Sequence, residues 1–111
     1  MFYDAKWSPS EKKIARGAFD IALEAALANI MAEFKRRANA ASRPSEMWEI
    51  EDYLRQRRRE IDETFDYRYS QLPFVFARLI QEGYLHESQL AGLSEEKLKI
   101  IRSFLAFASK G

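Results

Sequence analysis

The side chains best placed to do chemistry are one tryptophan and the charges around it. Between Glu46 and Asp66 the chain carries Trp48, four arginines and eight acids, with neither Gly nor Pro. At about 100° per helical residue, Met47, Ile50, Leu54, Ile61 and Phe65 fall within roughly 60° of one another and form a burial stripe. Trp48 falls about 125° from the centre of that stripe. It shares its face with Asp52, Arg55, Arg59, Asp62 and Asp66. Trp beside Arg is the composition enriched at interaction hot spots. Two readings of Trp48 stand side by side: it packs against the first helix or a twin subunit, or it offers a contact surface to another protein.

The run Arg55-Gln56-Arg57-Arg58-Arg59 invites a phosphate-binding reading. Its surroundings argue against that, because four Arg and eight acids leave this stretch at a net charge of −4. Nucleic-acid surfaces concentrate positive charge, so a solvated or salt-bridged face is expected instead, and no nucleic-acid partner. The acids from Glu46 to Asp52 and the arginines from Arg55 to Arg59 flank residues 53 and 54. Two copies running antiparallel about that centre would bring Glu49 near Arg58 and Asp52 near Arg55, so the stretch is self-complementary for a two-fold homodimer.

Nothing in the sequence looks catalytic. Carboxylates are abundant, but no pair is set apart in an apolar setting that would shift its pKa. There is no glycine loop to cradle phosphate, no serine elbow and no Cys–His arrangement. The absence of Cys rules out disulfides, a thiolate nucleophile and thiolate ligands. The lone His86 sits in a polar turn and reads as a surface residue; no metal site and no cofactor are expected. Met31 and Met47 lie at core spacing. Phe74, Phe76, Tyr84, Phe104 and Phe107 form an aromatic-rich cluster, expected to serve as core, with a binding groove as the alternative.

The elements that must carry these residues are helices. Ser8-Pro9-Ser10-Glu11 is a helix start: the Ser8 hydroxyl reaches the Glu11 N–H, the Glu11 carboxylate reaches back, and Pro9 suits the first helical position. No strong stop follows until Ala41-Ser42-Arg43-Pro44-Ser45, so a first helix is predicted over about 9–41, through Gly17. Ile14, Ala18, Ile21 and Ala25 make one apolar row on it; Phe19, Leu23, Leu27, Ile30 and Phe34 make another. A second helix is predicted over about 45–70, until Pro73 interrupts. Phe74 to Glu82 reads as a short apolar helix capped by Gly83. A one-turn helix near Ser88–Ala91 ends at Gly92, and Ser94 caps a last helix, buried through Leu98, Ile101 and Leu105. No segment alternates as a strand does.

The chain is therefore expected to be all-α, a single domain over residues 1–111. Its 18 Lys+Arg against 17 Asp+Glu give a net charge of +1, which does not suit a polyanion binder. No apolar run approaches the roughly 18 residues of a membrane span, and Met1-Phe2-Tyr3-Asp4 shows no signal segment, so a cytoplasmic protein is expected. A first helix of some 32 residues would be about 48 Å long. A compact domain of this size has a radius of gyration near 13 Å. The two long helices must overhang the rest, leaving apolar stripes wet. A two-helix hairpin stalk with a small helical head over about 73–109, paired with a second copy, meets that requirement most simply.

At several places the residues resemble a known family. Trp48-Glu-Ile-Glu-Asp52-Tyr-Leu54, Arg58-Arg59-Glu60-Ile61-Asp62 and Asp66-Tyr67-Arg68-Tyr69-Ser70 are similar to the fluorescence recovery protein family. So are Phe74-Val-Phe76-Ala77, Leu79-Ile80-Gln-Glu82-Gly83-Tyr84-Leu85, Glu87-Ser-Gln-Leu90-Ala-Gly92-Leu93, and the Trp7-Ser8-x-x-Glu11 start. The similarity is strongest from Trp48 to Leu93. It implies an all-helical dimer with a long stalk and a small head. It also implies a regulator rather than an enzyme: one that binds the orange carotenoid protein and speeds return of its light-activated red form to the orange form, ending quenching at the phycobilisome.

The family's patch on the second helix carries a Trp, an Asp and an Arg, matched by Trp48, Asp52 and Arg58. With Glu51 and Phe74, these are the expected partner-binding residues. The chain also departs from the family. Glu51 stands where the family has a His before its Asp, and Arg59 replaces the His of Arg-His-Glu-Ile-Asp. Glu63-Thr64-Phe65 replaces Gly-Lys-Tyr, and Pro73 replaces an aliphatic residue. A carboxylate in place of a titratable ring alters the field around Trp48 and Asp52. The alternative expectation is thus a divergent member acting as a dimeric helical adaptor for another protein.

Overall fold

The computed structural model describes residues 6–110; the amino-terminal stretch read above for a signal segment lies outside the described residues. The all-helical expectation holds: four α-helices and one 3-10 turn are present, with no strand among the described residues. Helix α1 spans Pro9–Ala40, α2 Ser45–Thr64, α3 Leu72–Gln81 and α4 Glu95–Lys110, with the 3-10 turn at Glu87–Leu90.

Local chemistry accounts for most of the boundaries. Ser8 Oγ accepts the Glu11 N–H at 3.1 Å, and Glu11 Oε1 accepts the Ser8 N–H at 3.1 Å. This satisfies two donors that no helical carbonyl can reach. After α1, the Glu46 carboxylate accepts the N–H groups of Ser42 and Arg43 at 3.3 and 3.1 Å and shapes the turn into α2. Pro73 lies within the first turn of α3 rather than ahead of it, where its missing N–H has no helical partner to lose. Gly83, at φ +85°, lets Tyr84 N–H reach back to the Leu79 carbonyl at 2.9 Å. Only the left-handed conformation permits that closure, and Gly enters it without steric penalty.

Helices α1 and α2 run antiparallel, since Arg37 lies against Tyr53 at one end and Phe19 against Phe65 at the other. Helix α3 packs on α4, and the 3-10 turn and α3 rest on α1. The radius of gyration is 16.8 Å and the longest axis 53 Å, well beyond the roughly 13 Å radius of a compact domain of this length. The chain is elongated, as its helix lengths require.

Three expectations need correction. The second helix stops at Thr64 instead of running to about residue 70. Beyond it, alternate residues Phe65, Tyr67 and Tyr69 turn towards α1. Phe65 and Tyr67 meet Phe19 edge-on, with ring centres 5.4 and 4.9 Å apart, and Tyr69 lies 5.4 Å from Trp7. A helix could not aim every second residue the same way, so aromatic burial overrides helix propensity here.

Second, the buried stripe of α1 is Ala15, Ala18, Phe19, Ala22 and Ala26, with Glu11. Of the two rows read from the sequence, only Ala18 and Phe19 are fully buried; Ile21, Leu27 and Phe34 are exposed. Alanines let the neighbouring elements approach α1 closely, and the larger apolar side chains are left outside. Third, the α2 stripe is only half covered: Ile50, Leu54, Ile61 and Phe65 are half-buried and Met47 is exposed. A two-helix layer offers that stripe a single neighbour.

Candidate functional site

Four of the residues expected to bind a partner lie exposed on α2. Trp48 is 64% exposed, and Glu51, Asp52 and Arg58 are exposed too. Trp48 and Asp52 stand one turn apart, so the two side chains share one face of α2. Glu51 and Arg58 follow the flank of that face at a spacing of seven residues, and Glu51 is engaged by Arg55 at 3.5 Å. The four residues occupy an arc of about 120° over about 15 Å of helix. Of the two readings of Trp48, burial against α1 is excluded by its exposure.

The platform beneath the patch is held by charge and ring contacts. The Arg37 guanidinium of α1 lies 4.1 Å from the centre of the Tyr53 ring, and Arg57 lies 5.7 Å from the same centre. Arg57 also bonds Glu60 at 2.7 Å. Hydrogen bonds from Arg36, then from Arg37, hold the Glu33 carboxyl down at a pKa of about 2, against an ordinary value of 4.5. The Glu33 carboxylate thus remains ionised at any ordinary pH. Asp52, Glu33, Arg37 and Arg57 line an open polar cleft between α1 and α2.

Phe74 belongs to a different surface. Its ring meets Phe104 edge-on at 4.6 Å, and both line an open groove whose walls come from α3 and α4. Phe107, at the rim, is 78% exposed. The aromatic cluster is therefore divided. Phe76 is fully buried core, as expected of the cluster, while Phe104 and Phe107 are surface and line the groove that was the alternative. The structure brings Trp48, Glu51, Asp52 and Arg58 together on α2 and sets Phe74 apart.

No group of His, Cys, Asp and Glu suited to a metal ion occurs among the described residues. Among the described residues no helix is long and apolar enough to cross a membrane. The arrangement presents an indole flanked by fixed charges, which suits recognition of another protein surface. Sequence reasoning missed Tyr53 and the pair formed by Glu11 and Lys97. Tyr53 lies between charged residues at helical spacing from Arg57, a pattern that offers a local signal. The Glu11–Lys97 pair joins residues 86 positions apart, and no local pattern signals it.

Comparison with known proteins agrees with this architecture. The profile of the family described as "Photoprotection regulator fluorescence recovery protein" matches residues 7–105. The fluorescence recovery protein of Synechocystis sp. PCC 6803 is 31% identical over 100 residues, covering 90% of this chain and 92% of that protein. Among solved structures, the Fremyella diplosiphon fluorescence recovery protein superposes with a TM-score of 0.84 at 38% identity, covering 91% of this chain and 98% of that one. The Synechocystis structure gives a TM-score of 0.84 at 32% identity, with the same coverage.

Proposed function

The chain belongs to the fluorescence recovery protein family, a family of photoprotection regulators, and on that premise we propose that it binds the photoactivated orange carotenoid protein. By preferring the compact or transitional state of that partner, it speeds return of the red form to the orange form and ends quenching at the phycobilisome. It contributes binding energy and no reaction chemistry, so its effect is a shift among states the partner already visits. Trp48, Glu51, Asp52 and Arg58 form the recognition patch, and Phe74 adds a second contact from the groove between α3 and α4. The protein acts in the cytoplasm.

One observation carries the proposal: an indole left 64% exposed on a charged helix face, a placement that stability alone does not explain. The working unit is a homodimer. Leu27, Met31 and Phe34 lie along one flank of α1, and with Met47 they remain exposed. A second copy laid along the long helices covers such a surface, and contiguous apolar patches of this kind mark interfaces.

The test follows red-to-orange decay of an orange carotenoid protein in the dark, with and without this chain. Acceleration by the wild type, lost in Trp48→Ala, supports the proposal. A second reading, the dimeric adaptor for another protein, is favoured by the Glu51–Arg55 ion pair within the patch. It predicts no acceleration by the wild type and partial gain in Glu51→His. Absence of any effect from either form sinks the carotenoid-protein assignment.

A further inference from the structure

The carboxylate of Glu11 ties together two helix starts that are far apart in sequence. Oε1 accepts the Ser8 N–H at the beginning of α1, and Oε2 accepts the Ser94 N–H ahead of α4 at 2.8 Å. The Lys97 ammonium lies 3.2 and 3.1 Å from the two oxygens, donates to the Lys6 carbonyl at 2.8 Å and sits 4.8 Å from the Trp7 ring centre. The two side chains are only 4% and 11% exposed. In every other ion pair among the described residues, both partners are at least 27% exposed. Burial alone would push the Glu11 carboxyl up. The Ser8 and Ser94 N–H groups and the Lys97 ammonium outweigh that effect and bring it below its ordinary value.

The surroundings of this pair are those of a joint. Residues 72–110 connect covalently to the long helices only through the non-helical segment 65–71. Helices α3 and α4 pack on each other, and across the joint α1 offers Ala15, Ala18 and Ala22 together with Ile14 and Phe19. Helix α1 touches α3 and the 3-10 turn less extensively than α3 touches α4, so this joint is the weaker of the two. A buried ion pair adds a particular response. Separating one charge from the other inside the protein is strongly unfavourable, but full opening returns both to water and offsets their desolvation. The pair therefore disfavours partial slippage and leaves two states, joined or open. Trp7 Nε1–H, buried with no acceptor among the described residues, also regains hydration on opening.

We infer that Glu11 and Lys97 form a latch. Residues 72–110 swing off α1 as a unit about the 65–71 segment, with α3 and α4 still paired, and the latch sets how often this occurs. The opening is a local transition, distinct from global unfolding.

Hydrogen–deuterium exchange of the full chain tests the latch. In Lys97→Met, the Ser94 amide should exchange faster by about tenfold or more, while amides within α3 and the centre of α1 change by less than about twofold. Trp7 should become more accessible to a soluble quencher, with helix content unchanged. The double variant Glu11→Gln/Lys97→Met removes both charges but keeps an acceptor for Ser94, and should restore protection to near wild type. Unchanged exchange at Ser94 in Lys97→Met overturns the inference. So does a rise that spreads equally over α1, α3 and α4, which is global destabilisation. If Lys97→Met fails to fold, the wild type still decides. A smaller denaturant dependence of exchange at Ser94 than at Ile101 supports local opening, and equal dependence overturns it.

Discussion

The Arg37 guanidinium on α1 lies 4.1 Å from the centre of the Tyr53 ring on α2, fastening the two long helices beneath the exposed patch. The contact combines cation–π attraction with coverage of the ring face. Tyr53→Ala should lower stability by about 1–2 kcal/mol, whereas Tyr53→Phe, which keeps the ring, should stay within about 0.5 kcal/mol. Chemical denaturation followed by circular dichroism measures both. Equal losses in the two variants would place the effect at the hydroxyl instead of the ring.

Trp48 makes the opposite prediction. Truncating a buried tryptophan costs about 3–5 kcal/mol, but an exposed one away from the core stays within about 0.5 kcal/mol. Trp48→Ala should therefore leave the melting temperature and helix content nearly unchanged while weakening partner binding. A large drop in melting temperature would mean that a second copy buries the indole, and the patch would then be an interface between subunits.

Gly92 combines two constraints. Its φ is +105°, and a Cβ added there would meet Ile14 Cδ1 at 2.5 Å. Gly92→Ala should lose about 1–3 kcal/mol, through backbone strain together with overpacking against α1. In the background of Ile14→Ala the additional loss should shrink, because the steric part disappears and the backbone part persists. Thermal melts of the four forms make the comparison, and strict additivity would rule out the contact.

Acid should weaken the fold in a defined window. Glu11, Glu33, Glu46 and Asp66 are all held below their ordinary values, Glu33 by Arg36 and Arg37, Glu46 first by the Ser42 N–H and Asp66 by Arg68. A depressed folded pKa contributes stability that is present above the unfolded value and is lost as pH falls through the folded one. Denaturation midpoints should accordingly be flat above about pH 5 and fall between about pH 4.5 and 2. Glu33→Gln should flatten part of that fall. Midpoints that rise on acidification would contradict the assignment of these pairs.

Much of this molecule is written locally in its sequence. The Ser8–Glu11 box, Gly83 and Ser94 mark helix ends because each satisfies backbone groups within a few residues of itself, and such short-range chemistry needs no knowledge of the fold. Helix length alone implied an elongated chain, and helical spacing alone put Trp48 on the charged face of α2. Other features depended on what each segment meets. The end of α2 at Thr64 follows from Phe65, Tyr67 and Tyr69 finding Phe19 and Trp7, and the burial of the α1 alanines follows from how closely neighbouring helices approach. The division of the aromatic cluster into core Phe76 and exposed Phe107 depends on where α4 lies against α3. Most of all, the capping carboxylate of Glu11 reads from the sequence as local, and only the tertiary structure delivers Lys97 and the Ser94 N–H to it. Contacts across 86 residues leave no period and no spacing in the chain, because their geometry exists only once the helices have packed.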